Sequence, residues 1–220
     1  MNTPPLRLVL YTGSDSRRDL ADLSITATLN EEAKLDPEVV HKTIRAITAE
    51  RSYADLEGLA LALAHRLLDS QASVTHVQIE VAAYSWRRLG TQSFEGASRE
   101  VRLARAEVGR DGSATVGAAI RGLKLMMGQP VLEIVDLEWK YKTAGISYNS
   151  SWSAVRKLVL QAFDDREEPQ AVAQLLVDVI ESLAEVKLVV ETQPLASAGV
   201  DGVYELKGPT KRRTASATAR

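Results

Sequence analysis

The stretch Leu56-Glu57-Gly58-Leu59-Ala60-Leu61-Ala62-Leu63-Ala64-His65-Arg66-Leu67-Leu68, followed after a short break by Val74-Thr75-His76-Val77-Gln78-Ile79-Glu80-Val81, changes its apolar period partway along. Leu56, Leu59, Leu63 and Leu67 recur at three or four, which puts them on one face of a helix. Val77, Ile79, Val81 and Ala83 recur at two, with Gln78 and Glu80 between them, as in a half-buried strand. A one-faced helix leading into a one-faced strand predicts two packed layers.

Working outward, Asp36-Pro37 reads as an N-cap followed by proline at the first helical position, with Val39, Val40, Ile44 and Ile47 at helical spacing behind it. Ser52 reads as the cap of the second helix. Leu6 to Tyr11 and Leu23 to Leu29 are β-like, with Gly13-Ser14-Asp15-Ser16 as turn chemistry between them. A polar, Gly-containing loop around residues 89–98 precedes a return strand from Val101 to Val108.

Arg110-Asp111-Gly112-Ser113 is a turn signal, after which the pattern starts again. Ala114 to Met127 is strand-like, Gly128-Gln129-Pro130 breaks it, and Val131, Glu133, Val135, Leu137, Trp139 and Tyr141 form one face of a long strand. Trp152, Val155, Leu158 and Val159 belong to a helix. Glu168-Pro169 opens another, with Val172, Leu175, Leu176, Val179, Ile180 and Leu183 expected inward. Val186 to Val190 is a strand, with Val200 to Leu206 as its partner. Each half thus reads strand–strand–helix–helix–strand–strand: residues 1–109, then 110–206. The fold class is α+β, an antiparallel sheet with helices on one face. Residues 207–220, with Lys207, Lys211, Arg212, Arg213 and Arg220 among Ser, Thr and Ala, read as a disordered basic tail. A solvated tail outweighs a phosphate- or RNA-binding one, because one short basic cluster is little evidence.

Composition narrows the chemistry. No cysteine is present, which excludes disulfides, thiolate catalysis and Cys-type metal sites. Three histidines, His41, His65 and His76, are too few for a His-rich metal centre. Lys+Arg 27 against Asp+Glu 29 gives no nucleic-acid-coating charge. No apolar run is long enough to cross a bilayer, and the N-terminus lacks a leader pattern, so the expected location is the cytoplasm. A half of this length would leave sheet edges open, and pairing with another copy covers them, so a homo-oligomer is expected.

The doubled order resembles the tunnelling fold, and within it the sequence is similar to the uricase (urate oxidase) family. The residues that carry this are Ser52 to Ala62 continuing through His65 and Leu68, Val74 to Val81, and Tyr84-Ser85-Trp86-Arg87-Arg88-Leu89. Val135 to Tyr141 with Trp139, and Trp152 to Phe163, extend it into the second half. The resemblance implies a tetramer-like ring or barrel around a tunnel, purine sites between subunits, and urate oxidation by O₂ with no metal or organic cofactor. It also implies a Lys–Thr pair and a His that manage protons, with Phe, Arg and Gln holding the purine.

Placed on this chain, most of those positions are not matched. The lysine falls near Thr3-Pro4, the threonine region reads Pro37-Glu38-Val39-Val40-His41-Lys42-Thr43, and the His region reads Thr192-Gln193-Pro194-Leu195. The segment for Phe and Arg is reduced to Leu123 to Pro130. Gln170, beside Pro169, falls within a residue or so of the family's glutamine, where an amide donates and accepts to a purine or pterin edge. The plain reading of Gln170 is a solvent-facing or capping residue. His41, Lys42 and Thr43 are the remaining catalytic candidates, set against exposed positions of an amphipathic helix. His65 reads as structural and His76 as a residue on the polar side of its strand. Trp86, Trp139 and Trp152 read as packing residues, and Met126-Met127 as loop packing. Glu31-Glu32 and Asp164-Asp165 read as solvated loop acids. Two functions follow: a non-catalytic uricase-like oligomer that is structural or binds a purine or pterin, or a cofactor-independent urate oxidase.

Overall fold

A computed structural model describes residues 6–12, 19–29, 36–49, 55–70, 72, 74–85, 87–88, 94–95, 100–127, 131–144, 146–197, 204–206 and 208–219. The elements run β1 (Leu6–Thr12), β2 (Asp19–Leu29), α1 (Pro37–Ala49), α2 (Leu56–Ser70), β3 (His76–Ser85), β4 (Arg87–Arg88), β5 (Phe94–Glu95), β6 (Val101–Gly109), β7 (Ala114–Met127), β8 (Val131–Tyr141), α3 (Tyr148–Asp164), α4 (Pro169–Val179), β9 (Leu183–Ser197), β10 (Tyr204–Leu206) and β11 (Lys211–Thr218). Among the described residues, nine strands form one antiparallel sheet in the order β1-β2-β3-β6-β7-β8-β9. Its last position is shared: β11 pairs Glu185 to Thr192 of β9, and β10 pairs Leu195 to Ser197. β4 and β5 form a small separate ladder inside the expected loop around 89–98.

Local chemistry sets the helix starts. Asp36 accepts the Glu38 N–H at 2.9 Å, and Pro37 supplies a preset φ at the first turn of α1. Asp55 accepts the Gly58 N–H at 2.8 Å and so caps α2. Ser52, expected in that role, lies outside the described residues, as do Gly13 to Ser16, Glu31-Glu32 and Trp86.

All helices lie on one sheet face. α2 packs on β3 and β6, α1 packs on α2, and α4 packs on β9 and β11. The core row on the strands is Val77, Ile79 and Val81 of β3, Ala104, Ala106 and Val108 of β6, Val116, Ala118 and Ile120 of β7, Val135, Leu137 and Trp139 of β8, and Val186, Leu188 and Val190 of β9. Leu63 and Leu67 of α2 and Leu176 of α4 are fully buried against it. Each such side chain contributes about 1.5–3 kcal/mol of transfer free energy.

Three features differ from the sequence reading. The tail is not disordered over Lys211–Thr218: it is the edge strand β11, with Ala215 and Ala217 buried under α4. Alanine carries too little apolar surface for its alternation to stand out, and the ladder to β9 supplies the order. That strand, rather than Val200 to Leu206, is the main partner of β9. Leu175 and Val179, expected inward, are 37% and 54% exposed, because α4 rests on Val172, Ala173, Leu176 and Val177 instead. Met126 is a strand residue at 64% exposure and packs no loop.

β7 also contains a bulge. Ile120 faces Leu137 and Leu123 faces Val135, so Arg121 and Gly122 together oppose Asp136. Gly122 takes φ +68°, a left-handed conformation favouring glycine, and donates its N–H to Asp136 Oδ1 at 2.8 Å. The extra residue moves the inward side chains from even positions to odd ones, which keeps Leu123 in the core.

Candidate functional site

Toward one end of the sheet the inward row turns from apolar to polar. Below Val135 on β8 comes Glu133, beyond Val190 on β9 comes Thr192, and beyond Ala215 on β11 comes Arg213. Glu133 is a buried carboxylate at 8% exposure. Its Oε1 accepts from Arg213 Nη2 at 3.1 Å and from Thr192 Oγ1 at 3.4 Å. A buried carboxylate requires such donors, since an unpaired charge there is costly.

The N-terminus of α4 borders this row. Glu168 occupies its N-cap position but caps nothing with its side chain. Its carboxylate instead accepts from Arg213 Nη1 at 2.9 Å, so one guanidinium spans two acids. Gln170, in the first turn of α4, donates its Nε2 to the Ser216 carbonyl of β11 at 2.9 Å. The amide can still accept through Oε1. This end of the sheet therefore carries an amide, a buried carboxylate, a hydroxyl and a guanidinium, which together offer both donors and acceptors.

The other candidates stand elsewhere in the chain. His41 and Lys42 are exposed on α1 and Thr43 is half-buried, beside the inward Val40 and Ile44. The sheet strands under the two helix pairs, β3 and β9, are four strand steps apart, about 19 Å at the usual spacing. One chain thus keeps His41, Lys42 and Thr43 apart from Gln170. Thr3 and Pro4 lie outside the described residues. His65 is exposed on α2, and the Asp164-Asp165 pair is exposed at the end of α3. Glu133 and Arg213 escaped the sequence reading: the first sat within an alternating strand, the second within an assumed tail.

The helix-free sheet face carries a second polar surface, a depression of about 210 Å³ with Gly117 and Ala119 in its lining. Arg105 bridges Glu80 at 2.6 Å and Glu138 at 3.3 Å, and Arg121 meets Glu138 at 2.8 Å. His76 meets Glu107 at 3.0 Å. The hydrogen bond from Lys140, and then that from Lys187, holds the Glu185 carboxyl below its ordinary range. Most of these charges are matched across strands. Among the described residues, no three His, Asp or Glu converge in a metal-holding group, and no helix is long and apolar enough to cross a membrane.

No family model matches the chain, and no curated protein matches it. Solved structures do. The chain is similar to a uricase from Arthrobacter globiformis, with a TM-score of 0.78 and 18% identity, over 98% of this chain and 92% of that one. It is also similar to a urate oxidase from Bacillus subtilis 168, with a TM-score of 0.68 and 16% identity, over 90% and 86%. A uricase from Bacillus fastidious matches with a TM-score of 0.68 and 12% identity, over 90% and 82%. At these identities the likeness establishes the fold: this α+β chain has the tandem tunnelling architecture of the uricases.

Proposed function

We propose that this protein is a uricase-like, cytoplasmic homo-oligomer that binds a purine or pterin through the α4 end of its sheet without oxidising urate. We propose further that its two halves are residues 1–109 and a second half that begins at 110. The observation that carries this reading is the polar end of the core row, where Arg213 joins Glu133 to Glu168 and Thr192 also reaches Glu133, with Gln170 two residues beyond Glu168 at the start of α4. A heterocycle with adjacent N–H and C=O groups finds both donors and acceptors there. The absence of turnover is supported by the segment where the resemblance puts a proton-handling His. It reads Thr192-Gln193-Pro194-Leu195, and Thr192 is engaged with Glu133. Losing a positioned base alone costs about 10²–10⁴-fold in rate.

Calorimetric titration with xanthine and with a simple pterin tests the binding reading. The expected result is saturable binding of at least one of them, weakened about tenfold in Gln170→Ala by the loss of one hydrogen bond. No binding of either by the parent protein overturns the ligand reading. Equal affinity in the variant removes Gln170 from it. The fold likeness favours a second reading, a cofactor-independent urate oxidase.

A further inference from the structure

The two halves repeat a detail finer than their element order. β6 carries Arg102, Ala104, Ala106 and Val108 on its helix side, and β11 carries Arg213, Ala215, Ala217 and Ala219 in the same alternation. Each arginine reaches a glutamate at the start of its half's second helix. Arg102 meets Glu57 of α2 at 2.8 Å, and Arg213 meets Glu168 of α4 at 2.9 Å.

The two guanidiniums differ at their flat faces. A guanidinium donates its hydrogen bonds in its own plane, which leaves its faces to stack on a π-system. Trp152 of α3 takes that place on Arg102, with 4.6 Å from ring centroid to Cζ. Among the described residues no ring lies on Arg213, whose side chain is 40% exposed against 21% for Arg102. The edges of Arg213 are nevertheless well held. Its Nη1 donates to Glu168 at 2.9 Å and its Nη2 to Glu133 at 3.1 Å, so β8 and the start of α4 together fix its plane.

We infer that Arg213 is a stacking platform, and that the ligand of the α4 end lies flat on its guanidinium where the Trp152 indole lies on Arg102. This deepens the binding function proposed above and rests on it. It selects a chemical class: a planar fused aromatic ring, in preference to a puckered molecule with the same N–H and C=O groups. In the first half the chain's own indole, itself a flat bicycle, occupies the corresponding place. In the second half the plane is set and its face is open. A platform already held by two carboxylates loses little side-chain freedom when a ring settles on it.

The test uses a pair of probes that share one set of hydrogen-bonding groups. Quinazoline-2,4-dione is flat, and its fully saturated hexahydro form is puckered. Both are titrated into the full chain beside xanthine and a simple pterin, in the parent and in Arg213→Lys. Lysine keeps the positive charge that buried Glu133 requires but has no flat face, so the variant is expected to fold. The inference predicts that the parent prefers the flat probe by about fivefold and that Arg213→Lys loses this preference. A residue that only held Glu133 in place would weaken both probes alike. A parent without the preference overturns the inference, as does a variant that keeps it, and binding of xanthine or the pterin then leaves the binding function standing. The parent's preference needs no variant, so the test survives a misfolded Arg213→Lys. No binding of any of the four by the parent overturns both.

Discussion

The starts of α2 and α4 carry the same pair, a glutamate held by an arginine from the last strand of the half, in different surroundings. Glu57 is fully buried and takes Arg102 on one oxygen and the Tyr141 hydroxyl on the other at 3.3 Å, while Trp152 of α3 stacks on the Arg102 guanidinium. Glu168 is 78% exposed at its side chain and shares Arg213 with Glu133. Burial, rather than the ion pair itself, decides what each contributes. A covered pair fixes the packing of neighbouring elements. An uncovered one keeps polar atoms available to a ligand or a second copy.

The largest expected effect comes from breaking the covered pair while sparing the other. Glu57→Ala leaves the Arg102 charge mostly buried without its partner, which costs about 3–5 kcal/mol. Glu168→Ala removes a solvent-screened partner and shifts stability by no more than about 0.5 kcal/mol. Urea unfolding of both variants at one pH checks the contrast, and equal losses would break it.

A smaller effect concerns protons. Burial pushes the Glu57 carboxyl above its ordinary 4.5, against the opposing pull of the Arg102 guanidinium. Burial, and next the Glu57 charge, pushes the Tyr141 hydroxyl up as well. A carboxyl whose folded value exceeds its unfolded one contributes stability that is complete below 4.5 and is lost as pH rises through the folded value. Unfolding free energies across that window are expected to fall with rising pH in the parent relative to Glu57→Gln. Parallel curves would remove Glu57 as the source.

The helices and the central strands were legible because large apolar residues mark them. Leu56, Leu59, Leu63 and Leu67 at helical spacing, and Val77, Ile79 and Val81 at period two, leave little choice of element. β11 was illegible for the opposite reason: Arg213, Ala215 and Ala217 alternate, but two methyl groups are a faint signal beside five basic residues in the segment. The bulge at Arg121 and Gly122 was hidden because glycine in an apolar run does not reveal its φ. Of the candidate site, Gln170 is legible through the resemblance and through its place beside Pro169. Glu133 and Arg213 form their pair across 80 residues of sequence, and only the sheet register brings them together. The Arg-x-Ala-x-Ala match between β6 and β11 lay in the sequence throughout, and it acquired meaning once both strands were seen to face their helices.

Under the proposed function, the uricase architecture serves binding and not urate oxidation. Purified protein incubated with urate in air-saturated buffer, followed by the loss of urate's ultraviolet absorbance, tests it most directly. The expected rate is indistinguishable from that of a heat-inactivated control. Sustained turnover above that control would contradict it and establish the urate oxidase reading instead.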